Sequence, residues 1–172
     1  MMRHLKAADF KVMPWANGRG QTVEMWREES DGALLWRLSR AAVVEDGPFS
    51  IFPGIDRNLT VIAGPGFDLV GGVRLSARLL RPVEFAGDVP VRAAGVLAPS
   101  EDFNVMVRRG AVRAQVAVCH GGVTGGNCAL FALGEVRLRG TLLAAQELVL
   151  TDEELAFEGH AILVRILPEP LA

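Results

Sequence analysis

Short runs of apolar or alternating residues limit this chain more than any other feature of its sequence. They include "LLWRLSRA", "LTVIAG", "FDLVGG", "FNVMVRR", "VRAQVAVC", "CALFALG" and "AILVRIL", and Gly, Pro, Asp or Asn stands in most of the gaps. Nowhere does an apolar period of 3.6 residues persist over three turns, so no amphipathic helix of ordinary length is expected. With 19 Gly and 9 Pro, the pattern predicts an all-β sandwich or barrel of many short strands. One helical turn is expected after Pro99, at "SEDFN". The stretches "GPG" and "GGVTGG" read as hairpin turns.

At 172 residues, half of them apolar, the chain is long enough to bury roughly two-thirds of its unfolded surface without a staple. A single domain over residues 1–172 is expected, with approximate halves 1–98 and 99–172 separated by "GDVPVRAAGVLAPSED". The net charge is −2, with Lys and Arg spread along the chain, which argues against a nucleic acid or an anionic membrane as partner. The start, "MMRHLKAADFKVMPW", lacks the apolar core of a signal peptide, and no apolar run approaches the ~20 residues of a membrane span. A cytoplasmic location is the expectation. Cys119 and Cys128 flank "HGGVTGGN", where a hairpin could bring them together. In a reducing compartment they read better as two small buried hydrophobes.

The chemical inventory is sparse. His4, His120 and His160 are far apart in sequence and lack ligand spacing, so no metal and no cofactor is expected, and His120 and His160 read as loop or surface residues. There is no G-x-S-x-G elbow. Cys119 and His120 are adjacent and would point to opposite faces of a strand, which makes a poor catalytic dyad.

Three segments are more informative. In "DFNVMVRRG", alternation puts Asp102, Asn104, Met106 and Arg108 on one face and Phe103, Val105 and Val107 on the other. In "WRLSRA", Arg37 and Ser39 oppose Trp36 and Leu38. In "GQTVEMW", Thr22 and Glu24 oppose Val23 and Met25. Such polar faces ordinarily look at water. A methionine among an Asp–Asn–Arg set suits instead the interior of a barrel that binds a polar small molecule. A third reading is structural, with Arg37 or Arg108 paired to Glu24 or Asp102. The loop "EDGPFSIFPGIDR" turns tightly at Asp46-Gly47-Pro48 and offers Phe49, Phe52 and Pro53 as an apolar wall. Asp56 and Arg57 at its end read as an ion pair.

The ordered motifs "PWANGRGQTVE", "WRLSRAAVVEDGPFSIFPGIDR", "VIAGPGFDL", "FAGD" and "DFNVMVRRG", from Pro14 to Gly110, resemble the HutD/Ves family of small bacterial cupin-like proteins. The resemblance implies a double-stranded β-helix (cupin) fold with two cupin-like halves in one chain, and "VIAGPGFDL" as a hairpin. It further implies a non-catalytic protein that binds an intermediate of histidine utilisation, such as urocanate or formylated glutamate, and tempers that pathway's expression. The family lacks the metal-binding histidines of enzymatic cupins. Two residues depart from its P-W-K-N-G-G-G-x-T pattern: Ala16 replaces the lysine and Arg19 the middle glycine, and Arg19 would be strained if the loop needs a positive φ there.

The first functional expectation is therefore a metal-free cupin that binds a small carboxylate- or imidazole-bearing metabolite. Arg37 or Arg108 would clamp the carboxylate. Asn17, Thr22, Glu24, Ser39, Asp102 and Asn104 would be the polar partners, and Trp15 and Met106 packing surface. Two alternatives stand beside it. One is a metal-independent isomerase or lyase with Glu24 or Asp102 as base. The other is an interaction module that forms a homodimer through an exposed strand edge.

Overall fold

A computed structural model describes residues 1–15 and 18–170. The chain runs through β1 (Met2–Leu5), β2 (Lys11–Pro14), β3 (Gln21–Ser30), β4 (Ala33–Val43), β5 (Gly47–Pro48) and β6 (Ile55–Ala63). It continues through β7 (Phe67–Gly71), β8 (Leu75–Ala77), β9 (Val83–Ala86), β10 (Val91–Ala94) and β11 (Ser100–Arg108). The last strands are β12 (Val112–Val123), β13 (Cys128–Leu138), β14 (Thr141–Leu143), β15 (Leu148–Thr151) and β16 (Ala156–Pro168). The single helical turn among the described residues is a 3₁₀ turn at Ala7–Asp9. The expected turn at "SEDFN" is instead strand β11, because its backbone is paired on both sides, with β4 and with β6. No described helix is long and apolar enough to cross a membrane.

Two compact units divide the chain. One is Lys11–Ala111; the other joins Met1–Phe10 to Val112–Ala172. The chain leaves the first unit after β11, later than the sequence places its halfway point at 98/99, because β11 is held in the sheet of β4 and β6. The N-terminus belongs with the second unit through the antiparallel pair β1–β15.

The first unit has a six-stranded sheet in the order β2-β3-β4-β11-β6-β9 and a four-stranded sheet in the order β5-β10-β7-β8. Leu59, Val61 and Phe85 of the larger sheet pack with Phe67, Leu69, Ala77, Val91 and Ala93 of the smaller one in a single apolar core. The connection "GPG" is not a hairpin. It carries the chain from β6 in one sheet to β7 in the other, so it is a corner. Gly64 and Gly66 both take a positive φ there, and a Cβ on Gly66 would press into the Ala77 carbonyl.

The second unit is a sheet in the order β1-β15-β13-β16-β12, with β14 added to β13. Its core is built from Leu130, Val136, Leu138, Leu143, Val149, Phe157 and Leu163. "GGVTGG" is not a hairpin turn either, because β12 and β13 each pair with β16, which lies between them. This separates Cys119 from Cys128, and both thiols are free. His120 and His160 lie in strands β12 and β16, where His120 is exposed, as a surface residue would be, and His160 half-buried, with their rings stacked at 4.1 Å.

Gly66→Ala is expected to cost more than about 2 kcal/mol, since it adds both a strained φ and a backbone clash. Thermal unfolding followed by circular dichroism checks this; a melting temperature within a degree of the parent would refute the corner's dependence on glycine.

Candidate binding site

Residues directly opposite one another in an antiparallel sheet share a face, and the register of the six-stranded sheet sets the site. Arg37, Met106, Arg57 and Phe85 form one cross-strand row, and Glu24, Ser39, Asn104, Leu59 and Val83 form the next. Thr22, Ala41, Asp102 and Val61 form a third. The face therefore grades from polar on β3 and β4 to apolar on β6 and β9. Its apolar end, with Leu59, Val61 and Phe85, is part of the core shared with the four-stranded sheet, so the polar residues point inward. The opposite face is covered as well: Phe103 and Leu38 are fully buried and Val105 nearly so.

Within this face, Arg57 Nη2 donates to Asn104 Oδ1 at 2.8 Å, and Asn104 Nδ2 donates in turn to Asp102 Oδ1. The amide thus stands between the cation and the carboxyl. Among the described residues, no carboxylate oxygen comes within ion-pairing distance of the Arg57 guanidinium. Its Nε is buried with no hydrogen-bond partner. The rings of Phe49, Phe52 and Phe85 surround it at 5.3, 5.4 and 5.1 Å, a distance at which aromatic faces attract a cation. Beside this cluster, Arg37 Nε donates to Glu24 Oε2 at 2.6 Å, and those two charges neutralise each other.

The Phe49–Phe52 loop is held closely. Phe49 N–H donates to Val91 O, Phe52 N–H to Gly87 O, and Gly54 N–H to Asp88 Oδ1. The Asp46 carboxylate accepts from the N–H groups of Gly95 and Val96. These bonds are why no arbitrary linker would serve there: they place two phenyl rings against one guanidinium. Phe49 and Phe52 are half-buried and Pro53 is exposed.

The other expected residues divide. Thr22, Glu24, Arg37, Ser39, Asp102, Asn104 and Met106 are brought together on this face. Trp15 joins through its indole Nε1, which donates to Thr22 Oγ1 at 3.0 Å, and its ring lies against Gly20. Arg108 stands apart at the end of β11, where it donates to the Ser30 carbonyl at 3.2 Å. Asn17 and Ala16 lie outside the described residues. Arg19 pairs with Glu45 at 2.5 Å, and the described non-glycine residues with positive φ are Asp31, Leu80, Arg139 and Gln146.

Arg57 is the residue that sequence reasoning missed. The expected Asp56–Arg57 pair does not form, because neighbours on a strand point to opposite faces; Asp56 pairs with Arg109 at 2.6 Å, and Arg109 also reaches Asp88 at 2.7 Å. A legible signal exists: alternation in "IDRNLTVIA" puts Arg57 in register with Leu59 and Val61. Among the described residues, no group of three or more His, Cys, Asp or Glu side chains is placed to hold a metal ion.

Burial dominates the electrostatics. It pushes the Asp102 carboxyl up to about 7, against the opposing pull of Arg57 and the Asn104 hydrogen bond. It brings the Arg57 guanidinium down to about 10, helped by Arg37 and resisted by Asp102, so Arg57 stays charged at neutral pH. Because the carboxyl is harder to ionise in the folded state, the folded protein retains a proton that the unfolded chain has already released. The contribution of Asp102 to stability therefore falls as pH rises from about 4 through about 7.

The HutD family model matches residues 7–161. Protein Ves of Cronobacter sakazakii is 40% identical over 118 residues, covering 64% of each chain. A Pseudomonas putida protein described as an uncharacterized 21.2 kDa protein in the hutC 3' region is 37% identical over 107 residues, 59% of this chain and 56% of that one. The chain thus spans less than two thirds of the length of these curated relatives. The solved structure of HutD from Pseudomonas fluorescens SBW25, in a formate condition, aligns over 99% of this chain and 100% of that one, with a TM-score of 0.89 at 28% identity. A cupin 2 conserved barrel protein from Leptotrichia buccalis shares the fold over 86% of this chain and 88% of its own, with a TM-score of 0.54 at 8% identity.

Asp102→Asn is expected to raise the melting temperature more at pH 8 than at pH 4.5, by several °C, since it removes a buried carboxyl that ionises only at a cost. Parallel profiles for parent and variant across that range would contradict the placement of Asp102.

Proposed function

The chain belongs to the HutD family, has a cupin-like fold, and from that premise we propose that its inward polar face binds a small carboxylate- or imidazole-bearing metabolite of histidine utilisation. Binding would regulate that pathway without chemistry. The observation that carries this reading is Arg57: a buried guanidinium whose nearest anion is held off by an intervening amide. A purely structural cation of this kind would be expected to contact its carboxylate directly, because an unpaired buried charge is costly. An incoming carboxylate would complete the site, taking the fork geometry that guanidinium offers.

Each neighbour has a role in this reading. Asn104 orients the guanidinium. The Phe49, Phe52 and Phe85 rings exclude water and fix its plane. Asp102, when protonated, offers a donor, and Glu24 accepts from an imidazole N–H while Arg37 holds it in place. Ser39 and Thr22 complete the polar row, with Trp15 and Met106 as packing surface. Arg57 replaces Arg37 or Arg108 as the clamp, since Arg37 already has a carboxylate and Arg108 a carbonyl. The placement of the P. putida relative in a hutC 3' region supports histidine utilisation as the pathway.

Asp102 also supports a second reading. A carboxyl that titrates near neutrality beside a cation is suited to general acid–base work, and an isomerase or lyase would use it so. Turnover of urocanate or N-formylglutamate seen by NMR, and lost in Asp102→Asn, would favour that reading over binding alone.

In calorimetry, urocanate or N-formylglutamate is expected to bind saturably at millimolar concentration or below. Arg57→Met should weaken that binding at least tenfold, about 1.4 kcal/mol, while Arg109→Ala, on the far side of β6, should change it less than twofold. Failure of both compounds to bind the unmutated protein rejects the proposal.

A further inference from the structure

Strand β12 is the longest open edge among the described strands, and it is open along its whole length. It pairs with β16 on one side, and no described strand pairs with it on the other. Every other described edge is short or blunted; the part of β3 that β2 leaves open, Met25–Ser30, carries the charges of Arg27, Glu28 and Glu29. β1, β2 and β9 have four residues each, β8 and β14 three and β5 two. Lys11 and Pro14 additionally protect β2, and Glu84 protects β9. These are the ordinary devices that keep sheet edges from recruiting another chain. In contrast, β12 has twelve residues, no proline and Arg113 as its only Asp, Glu, Lys or Arg.

Its burial is equally unusual. The strand carries Val112, Ala114, Val116, Ala117, Val118 and Val123, and not one of its residues is buried. Its partner β16 buries Phe157, Ala161, Ile162, Leu163, Val164 and Ile166. Along Val112–Val118 exposure alternates strictly: Arg113, Gln115 and Ala117 are exposed, while the four even-numbered residues are half-covered. The ladder with β16 is regular from Val112 to Cys119, and the shift in register comes only after that.

We infer that β12 is a dimerisation edge, and that its partner is the same strand of a second copy of this chain. An antiparallel strand pair related by a two-fold axis matches even residues with even residues, so the pattern is self-complementary. With the axis at Val116, the two Val116 side chains meet, each Ala114 faces a Val118, and each Gln115 faces an Ala117. The two Arg113 side chains then lie toward opposite ends of the seam, so the only charge on the strand does not oppose itself. Pairing satisfies the outward N–H and C=O groups and covers half-exposed valines, both of which favour association. A single strand seam is small beside a standard interface, so the dimer should dissociate on dilution.

Sedimentation of the full chain tests this. At tens of micromolar the protein should run at twice the 18.5 kDa protomer mass and return to monomer on dilution. Val116→Lys puts two ammonium groups face to face and should leave a monomer with an unchanged circular dichroism spectrum; Ala117→Lys, at an exposed position, serves if the first variant does not fold. Hydrogen exchange on the unmutated protein gives a reading free of mutation: amides in 112–119 should be protected at high concentration and exchange faster on dilution. A parent that is monomeric at every concentration overturns the inference. So does a dimer that survives both lysines, or protection in 112–119 that ignores concentration.

Discussion

The charge balance of the first unit's inward face turns on one side chain, Asn104, which accepts from Arg57 and donates to Asp102. Bringing a guanidinium and a carboxyl out of water is costly, and direct pairing recovers that cost only with good geometry and further hydrogen bonds. Here the amide divides the pair. Each charge is partly compensated and neither is quenched. The carboxyl responds by holding its proton to about pH 7, and the guanidinium by resting among three phenyl rings. An amide fits this task because it offers a donor and an acceptor on one planar group.

Much of this face is legible in the amino-acid sequence alone. Side chains on a strand alternate with a period of two, so "DFNVMV" fixes Asp102, Asn104 and Met106 on one side whatever the fold. The same rule places Arg37 with Ser39 and Thr22 with Glu24. Local alternation does not say which face turns inward. A polar face beside an apolar one normally meets water, and only the burial of Phe103 and Leu38 on the other side, together with the inward core of Leu59 and Val61, reveals strands enclosed on both faces. That is a property of tertiary packing, invisible to a window of nine residues.

Three of the departures from expectation share one cause, which is treating sequence neighbours as spatial partners. Asp56 and Arg57 are adjacent and of opposite charge, yet the strand sends them to opposite sides, one to Arg109 and the other to Asn104. Glycine-rich "GPG" and "GGVTGG" have the composition of hairpin turns, but a glycine enables a sharp change of direction without specifying where the chain goes next. In both places the chain leaves its neighbour's side, once to cross between sheets and once to span a strand inserted between β12 and β13. Pro99 suggests a helical turn, and two flanking strands override that local preference.

The charge balance of the inward face also bears on what it can accept. Glu24 is matched by Arg37, and Asp102 gives up its proton only near neutrality. Arg57 therefore leaves an excess of positive charge below about pH 7. A divalent cation would have to overcome that excess and either take Glu24 from Arg37 or ionise the buried Asp102 before finding an anionic ligand. An anion meets the opposite situation: its charge completes the field that Arg57 sets up, and it holds the Asp102 proton more firmly. The same burial that makes Asp102 costlier to the fold as pH rises would then draw a carboxylate into this face more strongly at the acid side of neutrality.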